Sequence, residues 1–174
     1  MSFKSFAIGQ YARLVQRSVK KWKSRGVASQ HQVFQRIIRK ADMTAFGKDH
    51  GFYDIHSYED FKRQVPIRDY EAIRPYIERI RSGERNVLWP GNPLYLAKTS
   101  GTTSGAKYIP ITKDSVGNHF FSAQTALMLY MRETGHSDLM DGKMIFLSGS
   151  PKLAKVGGIP TGRLSGIVNH HIPS

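Results

Sequence analysis

The sequence predicts an α/β protein in which a helical amino-terminal region, residues 1–90, precedes an α/β portion, residues 91–174, as parts of one large domain. Three observations carry that expectation. Residues 1–90 hold apolar positions at helical spacing, punctuated by glycine and capping residues. Trp89-Pro90-Gly91-Asn92-Pro93 then breaks the pattern with turn residues. Beyond it, short apolar runs of strand type flank a loop rich in glycine and hydroxyls, and helix and strand alternate from there on.

Four helices are expected before the loop, at about 3–23, 30–41, 57–64 and 69–82. Gly26 follows the first, Ser29 is placed to cap the second, and Gly47 lies shortly beyond it. Ser57 with Asp60 makes a capping-box-like start for the third. Asp69 suits the cap of the fourth, Pro75 inside it implies a kink or a restart, and Gly83 closes it. Leu94-Tyr95-Leu96-Ala97 and Tyr108-Ile109-Pro110-Ile111 read as strands, followed by a long helix from about Asp114 to Glu133 and an apolar strand from Lys143 to Leu147. In the long helix Phe120, Phe121, Ala123, Ala126, Leu127, Leu129 and Tyr130 mostly share one broad face, as core packing requires. Gly149 to Gly158 reads as a flexible basic loop crossing the surface, and Leu164 to Ile172 as a strand or strand approach.

Between the first two strands lies Thr99-Ser100-Gly101-Thr102-Thr103-Ser104-Gly105-Ala106-Lys107. Glycines let backbone N–H groups converge on an anion, hydroxyls add donors, and the Lys107 ammonium supplies charge for phosphate oxygens. The run therefore reads as a nucleotide loop, and its competing reading is a polar hairpin turn. Walker spacing fails, because only three residues separate Gly101 from Gly105 and Tyr108 follows Lys107. A dinucleotide fingerprint fails as well, since no Gly-x-Gly-x-x-Gly opens a helix here.

Composition narrows the remaining classes. The chain has 40% hydrophobic and 22% charged residues, no cysteine, and no apolar run of membrane-spanning length, so disulfides are excluded and the cytoplasm is the expected compartment. Residues 1–40 hold ten Lys/Arg and no Asp/Glu, which is +10 of the net +13. Phe3, Phe6, Ala7, Leu14, Val15, Val19 and Trp22 recur near helical spacing there, so this segment is expected to dock as an amphipathic helix with its basic side in water. Contact with a membrane or an anionic partner is the alternative, suggested by Lys20, Lys21, Lys23 and Arg25 around Trp22. Stable membrane association is not expected, and nor is nucleic-acid binding, for which no aromatic-and-basic platform recurs downstream. His119, His136 and the pair His170-His171 lack metal-ligand spacing, and Ser148-Gly149-Ser150-Pro151 lacks the second glycine of a hydrolase elbow.

The Thr99–Lys107 run resembles the phosphate-binding motif of adenylate-forming enzymes, usually Thr-Ser-Gly-Thr-Thr-Gly-x-Pro-Lys. Ser104 and Ala106 depart from that pattern, and with the continuation Tyr108-Ile109-Pro110-Ile111-Thr112 they resemble the auxin-responsive acyl-acid amido synthetase family. Phe46-Gly47-Lys48-Asp49-His50-Gly51-Phe52, Val65-Pro66-Ile67-Arg68-Asp69-Tyr70-Glu71, Ile73-Arg74-Pro75-Tyr76-Ile77 and Gly162-Arg163-Leu164-Ser165-Gly166-Ile167 are similar to it too. The resemblance implies the start of a mixed-sheet adenylate-forming large domain of luciferase and acyl-synthetase type, incomplete in 174 residues, with the remainder of the enzyme beyond residue 174. It implies a ligase that uses ATP and Mg²⁺ to adenylate a small carboxylic acid and join it to an amino acid, the piece alone being inactive. A non-catalytic anion-binding module with a basic helix is the competing class. By the same resemblance Thr99, Ser100, Gly101, Thr102, Thr103, Gly105 and Lys107 hold the phosphates, with Lys107 catalytic and no metal ligand assigned. It further implies that Gln124 to Tyr130 wall the acyl pocket and that Arg132 faces a carboxylate.

Overall fold

The computed structural model describes residues 3–99, 105–143, 145 and 147–171. In chain order its elements are α1 (Phe3–Lys23), α2 (Gly26–Ala41), α3 (Ala45–Asp49), α4 (Tyr58–Gln64), α5 (Tyr70–Arg81), β1 (Tyr95–Thr99), β2 (Lys107–Ile111), α6 (Lys113–Thr134), β3 (Ala154–Val156), β4 (Ile159–Gly162) and α7 (Leu164–Asn169). Turns of 3-10 helix lie at Phe52–Asp54 and Ser137–Met140. The expected α/β character, helical first and mixed-sheet later, is what the chain adopts. The elements group into two units, Met1–Gln32 with Asp114–Leu147, and Val33–Lys113 with Ser148–Ser174.

In the first unit α1 buries Ser5, Ala12 and Val15, a stripe at helical spacing. Ala12 and Val15 pack on Met128 and Met131 of α6, with Ile8, Val19 and Leu127 around them. The helix docks as expected, with Val15 and Val19 of the expected set in the contact, while Phe3, Phe6, Leu14 and Trp22 are exposed. On α6, likewise, Phe121 and Tyr130 are exposed while Met128 and Met131 are buried. The Ser5 hydroxyl bonds the Asp141 carboxylate just past the 3-10 turn. Gly26 follows α1, as expected. It opens α2, since the Ser29 N–H already reaches the Arg25 carbonyl at 2.9 Å, which places Ser29 inside the helix rather than at its cap.

The second unit has two apolar clusters. Ile38, Ala41, Phe52 and Ile55 form one, flanked by Phe34, Phe46, Phe61, Val65 and Trp89. Thr44 caps α3 there, its hydroxyl accepting the Gly47 N–H at 3.0 Å and donating to the Ala41 carbonyl at 2.6 Å. Ser57 and Asp60 close a reciprocal capping box at the start of α4. Asp69 caps α5 by accepting the Ala72 N–H at 2.9 Å, and the helix runs unbroken through Pro75.

Ile80, Val87, Leu96 and Ile159 form the other cluster, between α5 and the sheet. The strand order is β2-β1-β4-β3, with β1 antiparallel to β2, parallel to β4, and β4 antiparallel to β3. Three segments differ from the sequence expectation. Residues 154–156 of the expected surface loop are a strand, turned back at Gly157-Gly158. Gly157 (φ +57°) is seated so closely on the end of α5 that a Cβ would run into the Arg81 carbonyl. Leu164–Asn169 is a helix rather than a strand, because Gly166 and Ile167 bury one face of a single turn, and Gly166 presses on the Ser150 carbonyl. Residues 143, 145 and 147 lie outside any strand, with Ile145 and Leu147 exposed; residues 144 and 146 are outside the described residues.

Candidate functional site

The glycine- and hydroxyl-rich run is flanked by β1 and β2. Antiparallel pairing of β1 with β2 sets Thr99 opposite Lys107. Of the expected site residues, the structure thus brings Thr99 and Lys107 together. Gly105 precedes β2 with φ +81°, a left-handed conformation that glycine adopts without strain. Ser100, Gly101, Thr102 and Thr103, together with Ser104, lie outside the described residues.

The hairpin base is held from α5. The phenol oxygen of Tyr70, the first residue of that helix, accepts the Tyr108 N–H at 2.8 Å. Its ring lies 5.2 Å from Lys107 Nζ, within cation–π range. At the other end of α5, Arg81 stacks 4.3 Å over the Tyr108 ring and pairs with Glu78 at 2.7 Å. Burial and then a bond to Asp49 raise the Tyr76 phenol pKa, so this neighbour stays neutral. Sequence reasoning missed Tyr70 and Arg81. A tyrosine directly after a capping aspartate was visible, but nothing local ties it to a residue 38 positions on.

The other candidates make contacts within their own units. Arg132 Nε donates to Gln16 at 3.3 Å in the first unit, and Met128 of the expected pocket wall is buried against α1. Both Arg132 and Arg13 border a cleft floored by Ala12 and Met131. His170 Nε2 lies 2.7 Å from the Pro151 carbonyl, and His50, buried, contacts the Phe46 carbonyl and Arg68 at 2.7 and 2.9 Å. No group of three or more His, Cys, Asp or Glu among the described residues converges as a metal set, so none is assigned to Mg²⁺. No helix among the described residues is long and apolar enough to cross a membrane.

The chain has clear relatives. Indole-3-acetic acid-amido synthetase GH3.15 of Arabidopsis thaliana is 39% identical over 83 residues, covering 46% of this chain and 14% of the relative. Jasmonoyl-L-amino acid synthetase JAR4 of Nicotiana attenuata is 26% identical over 136 residues, covering 76% of this chain and 23% of the relative. The chain therefore spans less than a quarter of the length of these relatives. Among solved structures, AtGH3.15 acyl acid amido synthetase in complex with 2,4-DB superposes with a TM-score of 0.76 at 22% identity, over 89% of this chain and 27% of that one. That likeness establishes the fold. A family model described as the GH3 family N-terminal domain matches residues 15–172, and the chain belongs to that family.

Proposed function

We propose that the chain supplies the amino-terminal, phosphate-binding part of an ATP-dependent acyl-acid amido synthetase. In this reading the carboxylate oxygen of a small acid attacks the α-phosphorus of ATP, and pyrophosphate leaves as the acyl adenylate forms. The amine of an amino acid then attacks the acyl carbon, AMP leaves, and the amine proton passes to solvent, giving an amide.

The observation that carries the reading is the hairpin pairing of Thr99 with Lys107 at the neck of a glycine-rich loop. A neck closed by backbone bonds holds hydroxyl, amide and ammonium donors on one anion with little reordering when it arrives. Lys107 would neutralise charge on the phosphate oxygens, and the Thr99 hydroxyl would donate to them. The names of the relatives support the acid and the amino acid as substrates. The described residues do not form a metal site, and no step here runs through Mg²⁺.

The test is ATP binding to the 174-residue chain by calorimetry at moderate and high salt, with and without Mg²⁺. High salt screens general attraction to the basic surface. Saturable binding that survives salt and weakens at least about tenfold in Lys107→Ala is expected, in line with loss of a charge-assisted bond. Equal binding by Lys107→Ala would refute the assignment.

A further inference from the structure

We infer that Tyr70 is the positioning residue of the phosphate loop, fixing both the Lys107 ammonium and the strand that carries it. The inference rests on the reading that Lys107 meets phosphate. Its own ground is the double engagement of one side chain, described above by distance: phenol oxygen to the Tyr108 N–H, ring face to Lys107 Nζ.

Among the described residues β2 is the outer strand of the sheet, so its backbone groups that do not face β1 have no described strand to pair with. The Tyr108 N–H is such a donor, and Tyr70 supplies its acceptor from the neighbouring helix. The first turn of that helix is itself fixed by the Asp69 cap, so the phenol projects from a stationary origin. Lysine carries a flexible four-carbon stem whose ordering opposes binding. A ring surface beneath the ammonium narrows the space it samples, while the hydrogen bond one residue along holds the backbone from which the stem springs. The two contacts therefore act on the same group from its two ends.

Tyr70→Phe keeps the ring and deletes the acceptor, whereas Tyr70→Leu deletes both. Three readouts on the 174-residue chain separate the roles: exchange of the Tyr108 amide, the ring-current shift of the Lys107 ε-methylene protons, and calorimetric affinity for ATP with Mg²⁺. In Tyr70→Phe the Tyr108 amide should exchange about fivefold faster, the Lys107 shift should persist, and ATP should bind about threefold more weakly. In Tyr70→Leu the Lys107 shift should also collapse, with ATP affinity down about tenfold. A tyrosine that merely fills space would leave the Tyr108 exchange of Tyr70→Phe and the Lys107 shift of Tyr70→Leu at wild-type values, which would overturn the inference. Wild-type ATP affinity in both variants, with Lys107→Ala impaired, would overturn it while leaving the phosphate reading intact. Wild-type affinity in Lys107→Ala would instead sink the phosphate reading and this inference with it, even with the local signatures altered.

Discussion

Replacing Leu96 with alanine should destabilise the sheet-bearing unit by about 3 kcal/mol. Leu96 is 0% exposed in β1, between β2 and β4, and packs with Ile80, Val87 and Ile159. The substitution removes three carbons from the core, worth about 2.4 kcal/mol at about 0.8 kcal/mol per buried methylene. Hydrogen-bonded strands on both sides keep β1 from moving into the gap, so the residual cavity raises the cost to about 3 kcal/mol. With a urea dependence of about 2 kcal/mol per molar, the unfolding midpoint should fall by about 1.5 M. Trp89 flanks the other cluster of the same unit, so its emission follows this transition once Trp22 is changed to Phe in both proteins. A loss below about 1 kcal/mol would refute the placement of Leu96, because surface substitutions away from packed features stay within that size.

Gly157→Ala should cost about 2 kcal/mol or more, since a positive φ and the Arg81 carbonyl both oppose a side chain there. An unchanged melting temperature would show that the β3–β4 turn is not seated on α5. Acid should erode stability through Asp60 and Glu84. The Ser57 hydroxyl, with backbone N–H groups of Ser57 and His56 and the nearby Arg63, holds the Asp60 carboxyl below its ordinary range, and Arg79 does the same for Glu84. Both are lowered in the fold, so their contribution is complete above the ordinary carboxylate pKa and is lost as pH falls below about 4. Asp60→Asn should flatten that acid limb in pH-dependent melts, and superimposable limbs would contradict the assignment.

Where local chemistry decides structure, the sequence was readable. Ser57 with Asp60 and Asp69 cap α4 and α5 as their residue types suggested, and the long helix lies within a residue of its expected bounds at each end. The hairpin around the glycine-rich run was legible from apolar runs on either side of it. What escaped depends on distant partners. Strand β3 has three residues and exists through pairing with β4, whose own place is set by parallel pairing with β1 more than sixty positions earlier. Leu164–Asn169 carries a β-branched pair, yet tertiary packing of Gly166 and Ile167 overrides that preference. On α1 two apolar stripes coexist, and hydrophobicity alone could not tell that Ala12 and Val15, rather than Phe3 and Trp22, face inward. The site shows the same division: Thr99 and Lys107 were named from the motif, while Tyr70 emerged only when the fold set α5 beside β2.

The pairing of α1 with α6 has a consequence for biosynthesis. Gln16 and Arg132 meet across 116 residues, and Ala12 and Val15 find their cover on the same late helix. At a ribosomal pace of about ten residues per second, α1 waits on the order of ten seconds for its mate. Throughout that interval a cationic helix with bare aromatic side chains stands beside the anionic ribosome. The Ala12 and Val15 stripe that α6 later covers therefore stays open until that helix has been made, the kind of transiently exposed apolar surface for which chaperones exist.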